Sequence, residues 1–119
     1  MKRTLAVDAD QLDALRKFKA AIFQVLAHPT RIHIIETLRD GELSVGAILK
    51  HVNVEPANIS QHLAILRSKR LVNHRKARNQ VLYSLRNPFL TEVLDIMRRY
   101  FLAHLAEDVG ILRSIGQEK

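Results

Sequence analysis

The chain contains no cysteine. Disulfides, thiolate metal sites, iron–sulfur clusters and thiol redox sensing are excluded together. Glycine is scarce, with four residues and none clustered, so no glycine-rich phosphate loop can be drawn. A G-x-S-x-G elbow is missing too, and no spacing of Ser, His and Asp selects a triad. The sequence therefore predicts a non-enzyme. Apolar runs such as Ala20-Ala21-Ile22-Phe23 are far too short to span a bilayer. The basic start, Met1-Lys2-Arg3-Thr4, leads to Asp8 and Asp10 and not to an apolar stretch, so no signal peptide is expected. These readings predict a cytoplasmic protein without membrane contact. Only six aromatics occur, and Tyr83 is the only one near the hairpin described below. That argues against a reader of single strands, which needs stacking platforms.

The most informative gap is in acidic residues. None occurs between Glu55 and Glu92, while Arg67, Lys69, Arg70, Arg75, Lys76, Arg78 and Arg86 all fall there. The remaining chain balances, so this one segment carries the whole net charge of +7. Such a local field attracts polyanions, of which nucleic acid is the commonest. With 119 residues, 47% hydrophobic and 26% charged, the chain suits a single folded domain over 1–119.

Apolar residues at Leu12, Leu15, Phe18 and Ile22 repeat every three or four positions, which predicts a first helix over 8–26. His28-Pro29 breaks it and starts a second helix over about 29–39, with His28 as its cap, Ile32, Ile35 and Leu38 inward, and Gly41 as its stop. Ser44 is placed to cap a third helix, 45–51. Pro56 opens a fourth, 56–69, with Ile59, Leu63 and Leu66 on one face. Leu71-Val72 and Val81 to Leu85 favour strands, with a turn near Asn79 between them. A last helix begins near Pro88. It either stops at Gly110 or runs on through Ile111 and Ile115. The fold class expected is mainly α with a small β-hairpin, in the order α-α-α-α-β-β-α. This is a winged helix-turn-helix.

In that arrangement the fourth helix offers Asn58, Ser60, Gln61 and His62 on its polar side, short groups able to bond base edges in a major groove. Arg67, Lys69 and Arg70, nearer its end, are better placed for phosphates. Arg75, Lys76 and Arg78 would reach the backbone or the adjacent minor groove from the wing. The last helix, over 88–106, and the first, over 8–26, carry more apolar surface than one stripe needs, so both are expected to serve a two-fold dimer. Such a dimer sets its recognition helices roughly 34 Å apart and calls for a palindromic duplex operator.

Two stretches carry a resemblance: Leu26-Ala27-His28-Pro29-Thr30-Arg31-Ile32, and Ile59-Ser60-Gln61-His62-Leu63 onward to Leu71-Val72. With Val81-Leu82-Tyr83-Ser84-Leu85, they are similar to the signature segments of the ArsR/SmtB family over about residues 14–105. The resemblance implies a small homodimeric transcriptional repressor that binds its operator through the winged helix. It implies none of the family's usual metal sites. Where a Cys-Val-Cys stretch binds metal, this chain has Ser44-Val45-Gly46. Where an Asp-x-His opens the last-helix site, it has Asn87-Pro88-Phe89, and Tyr100 and Ala103 stand at the far end. Pro56-Ala57 replaces a polar pair at the start of the recognition helix.

No cofactor is expected. His104, Glu107 and Asp108 share a helical face and form the weak metal candidate, in a metal-responsive repressor with a non-standard site. The alternative from another class is a winged-helix protein-interaction module whose basic face meets an acidic partner.

Overall fold

The structure, a computed structural model, describes residues 8–117, apart from the side chains of Leu112 and Gln117. Its elements run α1 (Ala9–Leu26), α2 (Pro29–Thr37), a 3-10 turn (Leu38–Asp40), β1 (Leu43–Ser44), α3 (Val45–His51), α4 (Pro56–Ser68), β2 (Val72–Ala77), β3 (Gln80–Leu85) and α5 (Phe89–Gln117). By internal contacts the chain forms two compact units, one ending at Arg86 and one starting at Asn87.

Local chemistry fixes most of the boundaries in the first unit. Asp8 caps α1 in a reciprocal box: its carboxylate accepts from Gln11 N–H at 2.8 Å, and the Gln11 side chain accepts from Asp8 N–H at 3.0 Å. Pro29 and Pro56 open α2 and α4, where a missing N–H costs nothing. His28 sits at the N-cap of α2 but makes no capping hydrogen bond, so the expected cap is absent. Helix α2 is also shorter than expected. It tightens into the 3-10 turn at Leu38, and the chain leaves through Gly41 at φ +142°, a conformation L side chains rarely adopt. Ser44 Oγ accepts from Ala47 N–H at 3.1 Å and starts α3.

The fully buried side chains are Ile34, Ile35, Leu38, Ile48, Ile59, Leu63, Leu66 and Val72. They come from α2, its 3-10 turn, α3, α4 and β2, so the core lies under the helix-turn-helix and reaches the root of the wing. The sheet is antiparallel with strand order β1-β3-β2. Leu43 pairs with Tyr83 on one side of β3 and His74 pairs with Tyr83 on the other. The two-residue strand β1 is an addition to the expected hairpin.

The second unit is α5. Asn87 Oδ1 accepts from Phe89 N–H at 2.9 Å and opens it. The helix runs 29 residues, through Gly110 and on past Ile111 and Ile115, the longer of the two expected courses and beyond the 88–106 span expected to serve the dimer. Tyr100 is 77% exposed, and Phe89, Ile96, Phe101 and Ile111 are each more than half exposed. On α1, Phe18 and Phe23 are exposed likewise. No helix of the described residues is long and apolar enough to cross a membrane.

Candidate nucleic-acid interface

Helix α4 is two-sided. Ile59, Leu63 and Leu66 are buried, and α4 packs on α2 and α3. Asn58, Ser60, Gln61, Ala64 and Arg67 lie exposed on the opposite side. Its C-terminus is closed by paired bonds from Arg70 N–H to Arg67 O (2.9 Å) and from Leu71 N–H to Leu66 O (3.0 Å). This is a Schellman motif, in which the residue bending the chain adopts a left-handed conformation and is usually glycine. Here it is Arg70, at φ 59°.

The wing repeats that substitution. Strands β2 and β3 stay paired out to Ala77 and Gln80, leaving Arg78 and Asn79 as a two-residue tip. Arg78 holds φ 56°. A positive φ costs an ordinary side chain about 1–2 kcal/mol. Among the described residues, the non-glycine positions with positive φ are Arg70 and Arg78, and both lie in the acid-free segment.

The remaining predicted residues divide by what they already touch. Lys69, Lys76, Arg67 and Arg78 are exposed. Arg75 is engaged. Its Nε donates to Glu42 Oε2 and its Nη2 to Glu42 Oε1, each at 2.7 Å. The hydrogen bonds and charge of Arg75 hold the Glu42 carboxyl below its usual range, and Glu42 in turn raises the Arg75 guanidinium. Glu42 lies just before β1, so a carboxylate from outside the acid-free segment is brought onto the wing.

His62 is only partly exposed, and its Nδ1 accepts from Arg31 Nε at 3.3 Å. Arg31 Nη1 also donates to the carbonyl of Val25 at 3.1 Å. The His28 ring meets His62 edge-on, with centroids 4.6 Å apart. His74 stacks on Tyr83 at 5.9 Å. Sequence reasoning missed Glu42 and Arg31. Their partners lie 33 and 31 residues away, and no local pattern announces either pairing.

The metal candidates are loosely arranged. His104 Nε2 and Asp108 Oδ2 are 3.9 Å apart on exposed side chains, an ion pair only when the imidazole is protonated. A cleft of about 520 Å³ is lined by His33, Glu36, Thr37, Asp40, Leu43 and His51. Among the described residues, no group of three or more His, Cys, Asp or Glu side chains is placed to hold a metal ion.

A buried-faced helix with an outward polar side, followed by a cationic hairpin, defines a winged helix-turn-helix DNA-binding protein. The comparisons narrow the class. Residues 28–74 match the family model for bacterial regulatory proteins of the arsR family. The HTH-type transcriptional regulator Rv0081 of Mycobacterium tuberculosis is 36% identical over 104 residues, covering 87% of this chain and 91% of its own. Its crystal structure superposes with a TM-score of 0.72 at 38% identity, covering 80% of this chain and 96% of that one. The transcriptional repressor SdpR of Bacillus subtilis is 28% identical over 79 residues (66% and 88% covered). The transcriptional activator HlyU of Vibrio cholerae is 32% identical over 80 residues (67% and 74%). The homodimeric winged helix-turn-helix domain Mb0332 of Mycobacterium bovis, solved in solution, gives a TM-score of 0.70 at 25% identity, with 85% and 94% covered. The chain belongs to the ArsR family and is a DNA-binding transcriptional regulator.

Proposed function

We propose that the chain acts as a homodimeric repressor, which silences a promoter by occupying a palindromic operator. In this reading α4 enters the major groove. Asn58, Ser60 and Gln61 read base edges, Arg67, Lys69 and Arg70 hold phosphates at its end, and Lys76 and Arg78 grip the backbone beside it. The observation that carries the assignment is the pair of arginines at positive φ. Glycine would relieve both positions, yet both hold a cation on the face that offers α4 and the wing. Local strain of this kind is retained where a site uses it. The exposed aromatic and aliphatic side chains of α1 and of α5 give each helix a surface for a second copy. Blocking polymerase needs only occupancy, so no further contact is required for repression.

Fluorescence anisotropy with duplex DNA from upstream of the protein's own gene tests the reading. Selective binding by at least about a thousandfold over a scrambled duplex is expected. A transcription assay on the same promoter should then show repression. Equal binding to both duplexes rejects operator recognition, and stimulated transcription rejects the repressor assignment.

A further inference from the structure

Arg31 links three helices. It belongs to α2, donates through Nη1 to the last turn of α1, and donates through Nε to His62 on α4. The bond to His62 dictates that ring's protonation. Nδ1 can accept only while it carries no proton, so the neutral tautomer bears its hydrogen on Nε2. An added proton goes to Nδ1, and the Arg31 bond must then break.

Everything around His62 opposes that proton. Burial holds its imidazole below the usual range, and the charges of His28 and Arg31 lower it further. The groups facing it are His28 and Arg31 from α2 and its N-cap, with the Val25 carbonyl of α1 already taken by Arg31. Among the described residues no carboxylate forms an ion pair with any of the three. His28 Nδ1 is buried without a partner.

We propose that Arg31, His28 and His62 form a proton-sensitive latch that seats the recognition helix. With His62 neutral, Arg31 ties α4 to α2 and to the end of α1. With His62 protonated, the tie is lost, two cations stand together, and α4 loosens. Selective DNA binding then weakens in acid, a consequence that rests on the reading of α4 as the helix that enters the groove. Because the folded-state value of His62 lies below that of the unfolded chain, acid favours the loosened and unfolded states. The loss sets in as pH falls through about 6.5 and is complete below the folded-state value.

The latch is tested first on the full chain without DNA. Nitrogen-15 spectra of the labelled histidines should show His62 as the Nε2–H tautomer at pH 7.5, with a midpoint below that of a free imidazole. Amide exchange in α4, corrected for its intrinsic pH dependence, should accelerate about tenfold between pH 7.5 and 5.0. His62→Gln should abolish that acceleration. Arg31→Lys keeps the charge, removes the Nε donor, and should release the tautomer preference. An ordinary His62 midpoint, a proton on Nδ1 at pH 7.5, or α4 protection that does not change with pH overturns the latch. DNA titrations on the upstream and scrambled duplexes come second, with selectivity expected to fall about tenfold at pH 5.0 in the wild type only. Missing selectivity at every pH would count against the operator reading and leave the spectroscopic result standing. Selectivity that survives at pH 5.0 in a protein whose α4 has loosened would overturn the link from latch to binding.

Discussion

Arg75, on β2, and Glu42, just before β1, face each other as a two-pronged ion pair, both hydrogen bonds at 2.7 Å, although β1 and β2 do not pair with each other. The pair ties the wing to the segment before β1. It also means that one wing cation is already held by a carboxylate.

Glu42→Gln should free that cation. Affinity for duplexes of any sequence is expected to rise several-fold, and the slope of log K against log salt should steepen by about one. A salt series on scrambled DNA reads both. An unchanged slope would show that Arg75 never reaches a phosphate. The pair has a pH signature as well. Glu42 is depressed when folded, so its contribution is complete above the ordinary carboxylate range and is lost as pH falls through its folded value. A carboxyl-carbon titration should show Glu42 protonating below the ordinary glutamate range.

Arg70→Gly should separate stability from binding. Relief of the left-handed conformation is worth about 1–2 kcal/mol, and the freer unfolded chain returns about 0.4–1 of it. A net gain of about 0.5–1 kcal/mol, or roughly 2–6 °C in Tm, is expected alongside weaker DNA binding. A variant with lower Tm would show that the Arg70 side chain contributes packing the backbone argument omits.

Gln61→Ala and the double change Lys76→Ala with Arg78→Ala should fail differently. The first should cost about 1–3 kcal/mol on the operator and almost nothing on scrambled DNA. The second should weaken both duplexes alike and flatten the salt slope by about two. Parallel losses from both variants would remove the division between base reading and phosphate gripping.

Leu63→Ala removes a side chain with no exposed surface from beneath the reading face. A loss of about 2–5 kcal/mol in denaturant unfolding is expected. Because the cavity opens under α4, DNA selectivity should fall even where the protein remains folded.

Much of this architecture was legible in the chain. Pro29, Ser44 and Pro56 announce their helices through backbone chemistry that acts within a few residues, and Ile59, Leu63 and Leu66 declare an inward face by spacing alone. What escaped depends on partners distant in sequence. Asn73 to Lys76 are all exposed, so they show no alternation and read as loop, and only the ladder with β3 makes them a strand. Strand β1 has two residues, too few for any period, and one of them, Ser44, already serves as a helix cap. Arginine is no turn former, so neither Arg70 nor Arg78 could be read as a left-handed position. Gly110 could have ended α5, but apolar residues continue on either side and the helix bears the cost. The exposed polar face of α4 was visible because its pattern is local. Glu42 and Arg31 were not, because folding alone brings them to their partners.

The strand order has one more consequence. With β3 in the middle, β1 and β2 are the margins of the sheet, and the margins are where backbone amides and carbonyls stand ready to recruit a stranger's strand. One margin is two residues long, too brief to template anything. The other carries the exposed Lys76 next to the Arg75–Glu42 pair, and charged side chains on an edge strand discourage pairing with a second copy. The cations proposed to meet DNA therefore also make β2 a poor template for another copy of this chain.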